Sequence, residues 1–171
     1  MAQPSVHYGD QHFAGAVTFG SSVSLAAGSV ADAQVSASAA IAATKIVHQF
    51  PLTHQQATGS AAADQTVQLH MANGAGTLVA LKASVDTAAV GDSTVTVDLQ
   101  KSTAGGAFAT VLTAVVTVNS STVVRTVSSG TFASTSYVAG DIFRLVIDAT
   151  AGTGTLPQGL CVTAFVREAA Q

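Results

Sequence analysis

The chain has 171 residues, of which 9% are charged and 48% hydrophobic, with a formal net charge of −3 and no Trp. A charged fraction far below the ~25% usual for soluble proteins leaves a surface built from Ser, Thr, Ala and Gly, and so apolar a chain is not a disordered one, which needs low hydrophobicity and high charge. No window approaches the ~20 uninterrupted apolar residues of a spanning helix, and six scattered Lys and Arg offer no cationic run for phosphates, so neither a membrane nor a nucleic acid is an expected partner.

Met1-Ala2-Gln3-Pro4 has neither the basic region nor the apolar core of a secretory signal. Residues 1–12 are polar, carry His7, Tyr8, Asp10 and His12, and are expected to be a tail that orders only against a partner or a neighbouring subunit. A six-residue rhythm follows. Phe13, Phe19 and Leu25 fall six apart, and Val17, Val23, Val35 and Ile41 lie at multiples of the same interval. That period matches neither the 3.6 of a helix nor the 2 of a strand; it is the spacing of a β-solenoid or fibrous β-spiral, whose short rungs stack apolar positions inward. The Ala-rich end of this region, Gly28 to Ile46, has helical propensity and leaves a short helix as the alternative, but its interspersed Ser, Thr and β-branched residues favour extended rungs.

From Phe13 to Ile46 the rhythm covers fewer than six hexads, whereas a one-chain solenoid uses roughly three per coil and needs several coils to bury a core. Three chains around a common axis could pool these rows, and a closed cyclic trimer is a normal symmetry for it. Residues 13–50 are therefore expected to form a homotrimeric stalk and attachment segment, with Val17, Val23, Val35 and Ile41 toward the shared axis.

Residues 51–171 are expected to form a β-sandwich head. Short alternating runs separated by turn residues mark an antiparallel sandwich or barrel. They are Thr66 to Met71, Leu78 to Val85, Thr94 to Gln100, Phe108 to Val118, Thr122 to Val127, Ile142 to Ile147 and Leu160 to Val166. In the third run Val95, Val97 and Leu99 are expected inward, Thr94, Thr96 and Asp98 outward. With no helical pattern between the runs, a parallel βαβ sheet is excluded. The fold expected is thus all-β, an extended or β-spiral stalk followed by a jelly-roll-like antiparallel sandwich.

Gly91-Asp92 and Gly140-Asp141 each precede a run. Such a pair can hold a tight turn, with Gly at positive φ and Asp accepting from nearby amides; calcium is the alternative, but neither Asp has a second carboxylate at loop spacing. Cys161 is a lone cysteine in an apolar alternation, expected as a buried free thiol rather than a nucleophile. G-x-S-x-G, P-loop, H-E-x-x-H, C-x-x-C and dinucleotide-binding patterns are absent, and no enzyme activity or cofactor is expected. His48 and His54 flank the junction Gln49-Phe50-Pro51-Leu52-Thr53, and His70 lies in the first run. Near a trimer axis one His becomes three imidazoles, a candidate Zn or Ni site; the plainer reading is a polar side chain bonded to backbone or water.

The stretch Val17-Thr18-Phe19-Gly20-Ser21-Ser22-Val23-Ser24-Leu25, running on through Gly28-Ser29-Val30-Ala31-Asp32-Ala33-Gln34-Val35 to Ala40-Ile41-Ala42-Ala43-Thr44-Lys45-Ile46, resembles the stalk repeats of small structural proteins of tailed bacteriophages. The pattern from Val95-Thr96-Val97-Asp98-Leu99 through Ala139-Gly140-Asp141 to Gly159-Leu160-Cys161-Val162 is similar to the β-sandwich heads that follow such stalks. The resemblance implies a homotrimeric virion protein on the outer capsid surface, of the decoration or head-fibre type, with the major capsid protein as partner. Tyr8, Phe13, Val17 and Phe19 are the expected capsid-attachment residues. A tail-fibre or receptor-binding tip that recognises a host surface glycan is the alternative. A shaft of about 35 residues reaches at most ~115 Å even when fully extended, which suits a short capsid knob better than a long fibre. A hexapeptide-repeat acyltransferase, the third reading, would need a longer repeat and a catalytic context.

Overall fold

The alternation that begins near Pro51 resolves into antiparallel strands in the computed structural model, which describes residues 48–168. In chain order these are β1 (His48–Gln55), β2 (Gln65–Met71), β3 (Gly76–Ser84), β4 (Thr94–Ser102), β5 (Ala109–Thr110), β6 (Leu112–Ala114), β7 (Val116–Asn119), β8 (Ser128–Ser129), β9 (Thr131–Phe132), β10 (Ser136–Tyr137), β11 (Ile142–Thr150) and β12 (Cys161–Glu168). One sheet has the order β1-β12-β3-β10, with β8 also on β3. The other has the order β2-β11-β4-β5, with β7 also on β4, and β6 and β9 make a separate ribbon. The first strand therefore pairs with the last, and the second with the last but one.

Period-two patterning explains which faces meet. Val95, Val97 and Leu99 of β4, Phe143, Leu145 and Ile147 of β11, Leu81 and Ala83 of β3, and Val162, Ala164 and Val166 of β12 are all buried in one hydrophobic cluster. Alternate residues point away from it: Thr94, Thr96 and Asp98 are only half-buried, as their spacing predicts. The segment expected as a junction is itself a strand. β1 runs in register with β12 from His48 opposite Glu168 to Gln55 opposite Cys161, with Phe50 and Leu52 packed against the core. Pro51 sits at this sheet's edge, a place where a residue without an N–H is tolerated.

Two expected runs differ from the structure. Phe108 to Val118 is three short strands: β5 pairs with β4, the chain leaves to pair β6 with β9, and β7 rejoins β4 at Val116 opposite Val97. Thr122 to Val127 is a loop. Asn119 Oδ1 accepts from the Ser121 amide at 3.0 Å, and Thr122 Oγ1 accepts from the Asn119 amide at 3.1 Å; these local side-chain bonds turn the backbone before a ladder can form. Arg125 then takes a φ of +58°, and Val123 and Val127 are left 65% and 61% exposed.

Where residue 48 opens β1 and residue 168 closes β12, which we call the proximal end, polar groups pack among aromatic rings. The Tyr137 ring meets Phe143 edge-on at 5.3 Å, and His70 lies 6.3 Å from Phe143 and 3.4 Å from the Glu168 carboxylate. Gly76 has no room for a Cβ, which would strike the Tyr137 ring. Lys101 Nζ pairs with Asp141 Oδ2 at 3.1 Å, and the same oxygen accepts from the Val138 amide at 3.0 Å. Burial works against the Asp141 charge, but the Val138 amide, the Thr103 hydroxyl and the Lys101 ammonium outweigh it and hold its carboxyl below the usual range.

Burial, reinforced by the nearby Glu168 charge, pushes the Tyr137 hydroxyl up from 10.0 to about 12. A raised folded-state value means stability that is complete below pH 10.0 and is lost as pH rises through about 12. Tyr137→Phe is expected to lose less stability than the parent across that window. Urea unfolding of both proteins at each limit checks it, and parallel alkaline losses would show that this hydroxyl does not titrate as described.

Candidate functional site

Residues 56–64, 85–93 and 151–160 connect the strands at the end of the sandwich farthest from His48. At this distal end Gly91 takes a φ of +70° and turns the chain so that Val90 and Thr155 exchange two backbone bonds, 2.9 and 3.0 Å long. Asp92 Oδ1 accepts from the Thr153 amide at 2.8 Å and from its hydroxyl at 3.0 Å. The Thr153 hydroxyl and amide hold the Asp92 carboxyl below its ordinary value. Ser93 Oγ donates to the carbonyls of Thr155 at 2.7 Å and Val90 at 3.0 Å. A Cβ on Gly154 would collide with the Val90 carbonyl, so glycine is required where these loops cross. The Gly-Asp pairs are loop fasteners, as the turn reading expects: Gly140 has a φ of +85°, and Asp141 caps Val138.

Beside this crossing, the connection from β1 to β2 frames a polar cleft of about 420 Å³ lined by His54, Gln56, Ser60, Asp64 and Gln65, with small alanines between them. Its side chains are fixed from below. His54 Nε2 donates to Gln65 Oε1 at 2.9 Å. Gln56 reads the Ala63 backbone twice, Nε2 donating to its carbonyl at 2.8 Å and Oε1 accepting from its amide at 3.0 Å. Asp64 Oδ1 accepts from the Ala149 amide at 2.7 Å. Amide, imidazole and carboxylate groups held in place beside the exposed Ser60 suit a neutral, hydroxyl-bearing ligand, which exchanges hydrogen bonds without a full charge to desolvate.

His48 and His54 stand at opposite ends of β1, six residues and about 20 Å apart at ~3.3 Å per residue. They do not share a site within one chain: His54 belongs to the distal cleft and His48 to the proximal end. Among the described residues no group of three His, Cys, Asp or Glu gathers. His70 lies between the sheets, 5.6 Å from Phe50. Cys161, expected to be buried, is half-buried, because the register of β12 turns Leu160, Val162 and Ala164 into the core and Cys161 outward. Tyr8, Phe13, Val17, Phe19, Val23, Val35 and Ile41 lie outside the described residues. Gln56, Ser60, Asp64 and Gln65 were not singled out by the sequence, since polar residues between two strands carry no signal of convergence.

No family model, curated protein or solved structure matches this chain.

Proposed function

We propose that this is a structural virion protein: a homotrimer attached through residues 1–46 to the outer capsid surface of a phage, in contact with the major capsid protein and projecting its sandwich outward. The observation that carries the reading is the strand order. A sandwich in which the first strand pairs with the last and the second with the last but one has the connectivity of a jelly roll, an architecture used by viral capsid and lectin domains. That is an argument by architecture, which hosts many functions, and the hexad rows of residues 13–46 supply the second, independent support. The side chains best fixed at the distal end hold loops together, which suits a scaffold better than a reaction centre. If the attached trimer bridges neighbouring capsid subunits it also stabilises the shell, by binding the assembled state alone.

Deleting residues 1–46 is expected to abolish particle binding while leaving a β-rich domain, read by cryo-EM occupancy on particles and by circular dichroism. Full decoration by the truncated protein would place attachment on the sandwich and overturn the division of labour. A second reading, a tail-fibre tip that recognises a host surface glycan, is favoured by the polar cleft around His54, Gln56 and Asp64; density on the tail instead of the capsid in the same maps would select it.

A further inference from the structure

The outer face of the sheet formed by β1, β12, β3 and β10 has an unusual chemistry. Beside the Thr53–Thr163 hydroxyl pair at 3.1 Å and the Arg167–Gln49 bond at 2.9 Å, it carries a groove of about 290 Å³ lined by Lys82, Ser84, Val127, Cys161, Thr163 and Phe165. Lys82 Nζ stands over the Phe165 ring at 5.4 Å. Among the described residues the ion pairs are His70–Glu168 and Lys101–Asp141, so Lys82 meets no carboxylate among them. Above the groove the 120–127 loop exposes Val123 and Val127. Apolar side chains presented together beside a cation mark an interaction surface rather than a solvated one.

We infer that this groove is the contact between sandwich heads, covered by a second copy of this chain whose Asp148 meets Lys82. The inference rests on the homotrimer proposed above and names the surface it uses in the head. Charge and level both select the occupant. Asp148 is exposed on the other sheet, two residues before the distal end of β11 at Thr150, and Lys82 stands two residues before the distal end of β3 at Ser84. Parallel copies set side by side thus bring the cation of one to the height of the carboxylate of the next. The contact joins different faces, and such a head-to-tail contact closes into a ring when its rotation permits. Desolvated Val127 and Phe165 would supply the attraction, and the Lys82–Asp148 pair the register.

Cys161 reports on the groove without any substitution. In the full-length trimer its alkylation by iodoacetamide is expected to be at least tenfold slower than in chains diluted to monomer. Lys82→Glu sets like charges together at the interface, so trimer affinity is expected to fall on the order of 100-fold; adding Asp148→Lys restores it. Val127→Lys, at an exposed position that the fold does not need, is expected to weaken association without lowering the melting temperature of the head. A trimer in which Cys161 reacts at the monomer rate and Lys82→Glu associates normally overturns the inference and leaves the trimer standing. A chain that is monomeric at every concentration overturns both. Protection of Cys161 that persists in the monomer assigns the cover to residues 1–47 of the same chain and also overturns it.

Discussion

Val35→Asp is expected to dissociate the proposed trimer, whereas Ser38→Asp is expected to leave it assembled. If Val17, Val23, Val35 and Ile41 face a shared axis, one substitution places three carboxylates in a confined apolar channel, and each unpaired ion costs several kcal/mol to desolvate. Ser36 and Ser38 fall off the hexad rows, so a charge there is expected to stay in water if the rungs are extended. A helix would arrange the same residues differently, with Val35, Ser38 and Ala39 on one face. Sedimentation velocity on the two variants decides between the geometries, and equal damage at Val35 and Ser38 would contradict the extended-rung stalk.

Phe143→Ala is expected to be the most damaging single truncation in the head. Phe143 is 1% exposed, lies in β11 between β2 and β4, and carries the ring contacts with Tyr137 and His70 at the proximal end. Removing a fully buried phenyl group costs ~3–5 kcal/mol, through lost transfer energy and the cavity left behind, against a total of roughly 5–15 kcal/mol for a domain. Thr96→Ala, on the outward side of β4, is expected to stay within ~0.5 kcal/mol. Urea unfolding should show a large fall in midpoint at unchanged slope for Phe143→Ala. A loss below ~1 kcal/mol would mean that the sheets close over the gap.

The long strands were legible because burial on one face writes a period of two. Val95, Val97 and Leu99 are buried where that period places them, and the Gly-Asp turns were legible because positive φ needs glycine and the turn needs an acceptor. β1 was hidden by Pro51, which reads as a break and here marks an edge. Thr122 to Val127 misled for the opposite reason. Its β-branched residues have strand propensity, but Asn119 and Thr122 divert the backbone locally, and the valines remain exposed on a loop. The distal cleft was illegible because His54, Asp64 and Ala149 meet only through sheet pairing and a loop crossing, and neither leaves a spacing in the sequence. Cys161 was misjudged by one step of register, enough to move it from the core to the outer face.

Sedimentation equilibrium of the full-length chain at micromolar concentration bears on the whole account, because the hexad rows, the capsid attachment and the groove around Lys82 all presuppose three copies. The expected result is a single species of three times the 16.9 kDa chain mass, and a stable species at the mass of one chain would contradict it.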